Sequence, residues 1–218
     1  MRSLRFTGIF LLVLAMLSMC TSAASAHSTV KLQLASAGGN NAGGVYPYPY
    51  NLSRNGGASV AMISDTYDNE VTIGETWKAQ EAGLLSGHGL FGNQLLDYKA
   101  AGPIFNSILH GTLDRNAANF AIWGLFSTNV QNSSSSLFQS SAAGAIERQS
   151  LTLAGNAPNS AFQGLVLYSP IPGTQSVNGT AQEYIAYAPV PEPGTMILFG
   201  TGMLLLAGMV RRKLKLQN

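Results

Sequence analysis

The chain has 218 residues, 46% of them hydrophobic, with 12 Lys and Arg against 10 Asp and Glu and a formal net charge of +2. That is enough for one domain with a real apolar core, and the charge is too balanced for a basic nucleic-acid footprint. A single cysteine, Cys20, excludes an intramolecular disulfide and a multi-thiolate metal site.

Arg2 and Arg5 precede an apolar run over 9–19, and Ala24-Ser25-Ala26 places small residues at the two positions that a signal peptidase reads. Residues 1–26 are therefore expected to be a secretory signal peptide, passed through the Sec translocon and cut after Ala26. A lipoprotein cysteine at Cys20 is the competing reading, and the bulky Met19 before it argues against that. With the cut after Ala26 the exported domain, 27–189, has no cysteine. It keeps six cations, Lys31, Arg54, Lys78, Lys99, Arg115 and Arg148, against nine acids, so the exported part is mildly acidic.

Residues 30–34 alternate apolar and polar side chains, the period of a half-buried strand. A Gly- and Asn-rich loop over 38–44 leads into Val45-Tyr46-Pro47-Tyr48-Pro49-Tyr50, which the prolines hold extended. Tyr46, Tyr48 and Tyr50 read either as an aromatic strip for a sugar or peptide or, by default, as rings packed on an extended edge segment. Asn55-Gly56-Gly57 predicts a turn, with strands over 58–63 and 70–77 on either side of 64–69. Asp65, Asp68, Asn69 and Glu70 crowd oxygen ligands there, as a calcium site would, but without the spacing or central glycine of an EF-hand loop. A solvated turn is the default reading.

From Lys78 the pattern becomes helical. Leu95, Leu96, Ala100, Ile104, Phe105, Ile108 and Leu109 recur near the helical period, with Pro103 as a break or first turn. A second helix is expected over 114–126 with Asp114 as its N-cap, and a third from Ser135 or Ser136 to Leu153 beyond a polar linker over 133–136. Strands are expected over 161–168 and 182–187, separated by a turn-rich stretch over 170–179. Strands, then helices, then strands predict an α+β domain, its sheet drawn from both ends of the domain and its helical region inserted between them.

Reactive constellations are sparse. His88 and His110 have no second imidazole at ligand spacing, and Gly-x-Ser-x-Gly, phosphate loops and paired-histidine metalloprotease motifs do not occur. The expectation is a protein without cofactor or metal that is not an enzyme. Asn119-Phe120-Ala121-Ile122-Trp123 resembles the Gln-x-Ala-Ile-Trp signature of thioester-type adhesin domains. The resemblance implies a Gln and a Cys joined in an internal thioester, an activated acyl group that captures amines. Asn119 stands at the glutamine position and Ser64 at the expected cysteine position, so these are degenerate thioester positions and the bond cannot form.

At the C-terminal end, 190–218, Pro191-Glu192-Pro193 interrupts regular structure, an uncharged apolar run follows, and Arg211, Arg212, Lys213 and Lys215 close it. This tripartite pattern resembles the PEP-CTERM sorting signal that an exosortase of Gram-negative bacteria recognises. The resemblance implies a transmembrane helix over 195–210, a basic tail over 211–215 and a transient stay in the inner membrane. The combined expectation is an exported, non-enzymatic cell-surface or extracellular-matrix protein, with exopolysaccharide as a partner and no nucleic acid. A surface adhesin or carbohydrate-binding module derived from a thioester-type domain is the alternative.

Overall fold

A computed structural model describes residues 28–38, 45–132, 138, 142–177, 179–188 and 202–203. The chain divides into two units, 1–187 and 188–218. In the first, six strands form a closed barrel in the order β1-β2-β3-β6-β5-β4. They are β1 (Ser28–Ser36), β2 (Tyr50–Arg54), β3 (Ser59–Ser64), β4 (Thr76–Gly83), β5 (Leu165–Pro170) and β6 (Tyr184–Tyr187). Every neighbouring pair is antiparallel. Between β4 and β5 the chain forms α1 (Leu95–Leu109), α2 (Arg115–Phe126), α3 (Thr128–Asn132) and α4 (Ala143–Asn156), then a 3-10 turn over Asn159–Phe162.

Two apolar clusters show how the layers form. Val30, Leu32, Leu34, Leu52, Met62 and Trp77 fill the barrel with Tyr168 and Tyr184. A second cluster joins Ile63, Leu165, Leu167 and Ile185 to Ile104, Phe105, Phe120 and Trp123 of the helices. Side chains alternate across a strand, so Met62 and Ile63, or Tyr184 and Ile185, lie on opposite faces. The helices therefore cover the outside of β3, β6 and β5, while β1, with its buried positions alternating with accessible ones, keeps one face in solvent.

Local chemistry accounts for several boundaries. Asn55 and Gly56, both at positive φ, make the tight β2–β3 hairpin, as an Asn-Gly pair favours. Asp114 caps α2 by accepting a hydrogen bond from Ala117 N at 2.9 Å, satisfying one of the helix's free amides. Pro103 lies within α1, where it neither starts nor breaks the helix.

The expected fold class is corrected by this architecture. The molecule is a closed six-stranded antiparallel β-barrel with a helical insertion, not an α+β sheet. Closure depends on pairings between distant segments, Ile63 with Ile185 and Leu32 with Trp77, which local periodicity does not encode. The expected transmembrane helix is also corrected: among the described residues no helix is long and apolar enough to cross a membrane. A span needs about 20 apolar residues, and the apolar run after Pro193 is shorter and broken by glycine. Apart from Gly202 and Met203, the stretch 195–210 lies outside the described residues.

Four boundaries shift as well. The strand expected over 70–77 begins at Thr76, because Gly74 at positive φ and the Glu75 amide bonded to Thr72 O turn the preceding segment into a loop. The stretch beginning at Lys78, expected to turn helical, first completes β4 through Gly83. The third helix runs Ala143–Asn156 rather than 135–153, and β5 starts only after the 3-10 turn and Gly164.

Candidate functional site

One mouth of the barrel gathers the residues with chemical potential. The end of β1, the start of β2, the loop from β3 to β4 and the residues before β6 meet there. They enclose a cavity of about 680 Å3 to which Trp123 of α2 contributes. Pockets commonly lie at the mouths of β-barrels and within this size range. Tyr46, Tyr50, Tyr67 and Trp123 supply its aromatic surface, and Asp68, Asn69, Glu70 and Gln182 its polar one. A second cavity of about 290 Å3 shares Asp68, Asn69, Glu70 and Thr72 and adds Glu75.

The aromatic wall is built in depth. Tyr67 packs on Trp123 with centroids 5.4 Å apart, and Phe120 meets Trp123 edge-on at 5.0 Å. The Trp123 indole N–H is buried and has no hydrogen-bond partner among the described residues, an unusual condition for a buried polar group. Tyr50 is set by its hydroxyl donating to Tyr46 O and by edge-on packing against Tyr184 at 5.4 Å. Burial pushes the Tyr50 phenol above its ordinary range. Of the three strip tyrosines, Tyr46 and Tyr50 reach the cavity, whereas Tyr48 turns to Phe105, 5.9 Å away edge-on.

The polar wall is held by its neighbours. Asp68 accepts from Ser127 Oγ at 2.7 Å and Asn129 Nδ2 at 2.8 Å. Asn69 Nδ2 donates to Ala181 O at 3.1 Å, and Gln182 Nε2 returns a bond to Asn69 O at 2.6 Å. Thr72 N donates to Glu75 Oε2 at 2.9 Å, which shapes the loop. The acidic turn is solvated at Asp68 and Glu70, which are exposed, and its oxygens diverge: Asp65 is fully buried while Asp68 faces the α2–α3 junction. Among the described residues no group of three or more His, Cys, Asp or Glu could hold a metal ion.

Behind the cavity lies a buried carboxyl pair. Glu183 accepts from Tyr98 Oη at 2.5 Å, Leu90 N at 2.8 Å and Ser169 Oγ. Thr66 Oγ1 accepts from Glu183 N at 3.0 Å and donates to Asp65 Oδ1 at 3.0 Å. Burial and then the neighbouring Glu183 carboxyl hold the Asp65 carboxyl well above the usual carboxylate range. The sequence places Asp65 in the acidic turn and signals Glu183 only as an acid within the strand expected over 182–187.

Ser64 and Asn119 are brought together. Asn119 Nδ2 donates to Ser64 O at 3.3 Å, and Asn119 Oδ1 accepts from Tyr48 N at 2.6 Å. Both residues are fully buried. The Ser64 hydroxyl donates to Thr66 O at 3.2 Å, so its proton lies on a backbone carbonyl rather than on a base that would activate it. The junction ties the end of β3 to α2 and to the chain entering β2. His88 lies in the loop after β4, and His110 caps α1 with Nδ1 2.8 Å from Asn106 O. Ala24, Ala26, Pro191, Glu192, Pro193, Arg211, Arg212 and Lys213 lie outside the described residues.

Residues 189–213 match the family model described as the PEP-CTERM protein-sorting motif. The chain carries a PEP-CTERM sorting signal. It follows β6, whose last residue is Tyr187, so the folded barrel precedes the motif in the chain. The PEP-CTERM motif marks an exported protein targeted to an exosortase and sorted to the cell surface. Neither a curated protein nor a solved structure matches the chain.

Proposed function

We propose that this protein is a cell-surface or extracellular-matrix component that works by binding rather than catalysis, and that its barrel is the cargo of the sorting signal. The observation that carries this reading is the sorting motif at 189–213 set directly behind the last barrel strand, which ends at Tyr187. In this reading the Sec translocon and signal peptidase export the chain, and an exosortase then cuts near Pro191-Glu192-Pro193. Intact-mass spectrometry of the mature protein tests it. Cells with an active exosortase should yield a product that starts at His27 and ends near the motif, and a product continuing to Asn218 overturns the proposal.

A carbohydrate-binding role for the barrel is supported by the cavity at its mouth. Aromatic faces pack against the C–H surfaces of sugar rings, and a few fixed polar groups supply orientation. Tyr46 and Tyr67 offer the first, Asn69 and Gln182 the second. Exopolysaccharide is then the ligand that a surface or matrix location brings within reach. Tyr67→Ala should lower the binding of a saccharide at least tenfold in titration calorimetry, and unchanged binding removes this cavity as the site.

A further inference from the structure

We infer that the ligand of the barrel mouth is a glycan with free, protonated amino groups. This rests on the carbohydrate-binding reading above and adds the charge of the sugar. The two adjoining cavities are lined by the carboxylates of Asp68, Glu70 and Glu75, and no Lys, Arg or His is among their lining residues. An anionic polysaccharide would meet only like charge there, and a neutral one would draw no ion pair from the acids, of which Asp68 and Glu70 are exposed. A protonated amine would pair with them.

The aromatic wall favours the same class. A cation over the face of Trp or Tyr is attracted by the ring quadrupole, more so where water is excluded. Tyr46, 49% exposed, and the half-buried Tyr67 supply such rings in the cavity that Asp68 and Glu70 also line. The indole N–H of Trp123, a residue of the cavity wall, is buried and without a partner among the described residues, a donor left unpaired at this site. A cationic peptide is the other polymer of matching charge. All six strands are paired within a closed barrel, which leaves no open edge for the strand addition by which many peptides bind. The stacking surface and amide-bearing polar wall thus favour a sugar.

The test titrates the full-length chain, kept in mild detergent, with four probes in mildly acidic buffer: a β-linked glucosamine oligosaccharide, its fully N-acetylated counterpart, a neutral glucan oligomer and oligolysine. The expected result is binding of the glucosamine oligomer at least tenfold tighter than that of the other three, weakening as salt is raised. Glu70→Gln should reduce that binding at least tenfold, while Lys78→Gln on β4 leaves it unchanged. Equal binding of the acetylated or neutral oligomer overturns the amino-sugar inference and leaves carbohydrate binding standing. Tighter binding of oligolysine that depends on Glu70 overturns the sugar class. Binding of none of the four removes the carbohydrate reading and the inference together.

Discussion

Replacing Glu183 by alanine tests whether the buried carboxyl hub holds the barrel to its helices. Three donors from different parts of the fold end on this side chain: Tyr98 Oη from α1, Leu90 N from the loop before it and Ser169 Oγ from β5. Each buried donor left without an acceptor costs about 1–3 kcal/mol, but losses within one network are not additive. Breaking one member of a buried charged network costs about 3–5 kcal/mol in measured cases. At about 2–4 °C per kcal/mol for a domain of this size, Tm should fall by roughly 6–20 °C in differential scanning calorimetry. Glu183→Gln, which retains a carbonyl acceptor and the side-chain length, should fall by a clearly smaller amount. A loss under about 2 °C for Glu183→Ala would refute the assignment of the hub, since among the described residues the Tyr98 and Ser169 hydroxyls donate to Glu183 alone.

Asp65 predicts a pH signature of unusual sign for a carboxyl group. Its folded-state pKa is raised by burial and by Glu183, so the folded chain holds a proton that the unfolded one releases near pH ~4. The stability it contributes is fully present below that value and is lost, by up to about 1.4 kcal/mol per pH unit, as pH rises towards the folded-state pKa. Urea titrations across pH should show this component in the wild type and not in Asp65→Asn; matching slopes contradict the assignment. Gly89→Ala should be destabilising by more than about 2 kcal/mol, because its new Cβ would sit 2.0 Å from Tyr98 Oη and force apart the contact that places Leu90 N on Glu183. Chemical denaturation with no shift for this variant would show that the loop moves freely. Asn119→Ala removes the acceptor of Tyr48 N and the donor to Ser64 O and should cost about 1–3 kcal/mol, read as a lower urea midpoint; an unchanged midpoint would show that the β3–α2 junction is held by apolar packing alone.

Legibility in the sequence followed how each element meets water. Strand β1 was readable because one face of it stays solvated, so Val30, Leu32 and Leu34 alternate with accessible residues. Strand β2, YNLSR, carries little apolar pattern, and the proline-tyrosine run before it drew the reading towards an extended edge instead. Asp114 was legible as a cap because capping is a local contact, to Ala117 three residues on. The cavity was not, since Tyr46, Tyr67, Trp123 and Gln182 converge only once the barrel closes. The calcium reading failed to assemble for a related reason. Asp65 and Asp68 are close in sequence, but the chain sends one into the core and the other to the start of α3.

The two mouths of the barrel treat negative charge differently, and that contrast bears on function. At the far mouth, Glu81 on β4 accepts from Arg54 Nη2 at 2.5 Å, Arg54 Nε at 3.1 Å and Ser28 Oγ at 2.9 Å, so its charge is met by a cation. At the cavity mouth, Asp68 is held by neutral donors from Ser127 and Asn129, and no cation is among the residues lining either cavity. A carboxylate held by neutral donors is oriented without an ion-pair partner, and Asp68 lines the second cavity together with Glu70 and Glu75. A bound cation would gain from acids of one sign there, because a cleft lined by one sign of charge focuses its field inward. The same sequence pairs its acid with an arginine at one mouth and with neutral donors at the other.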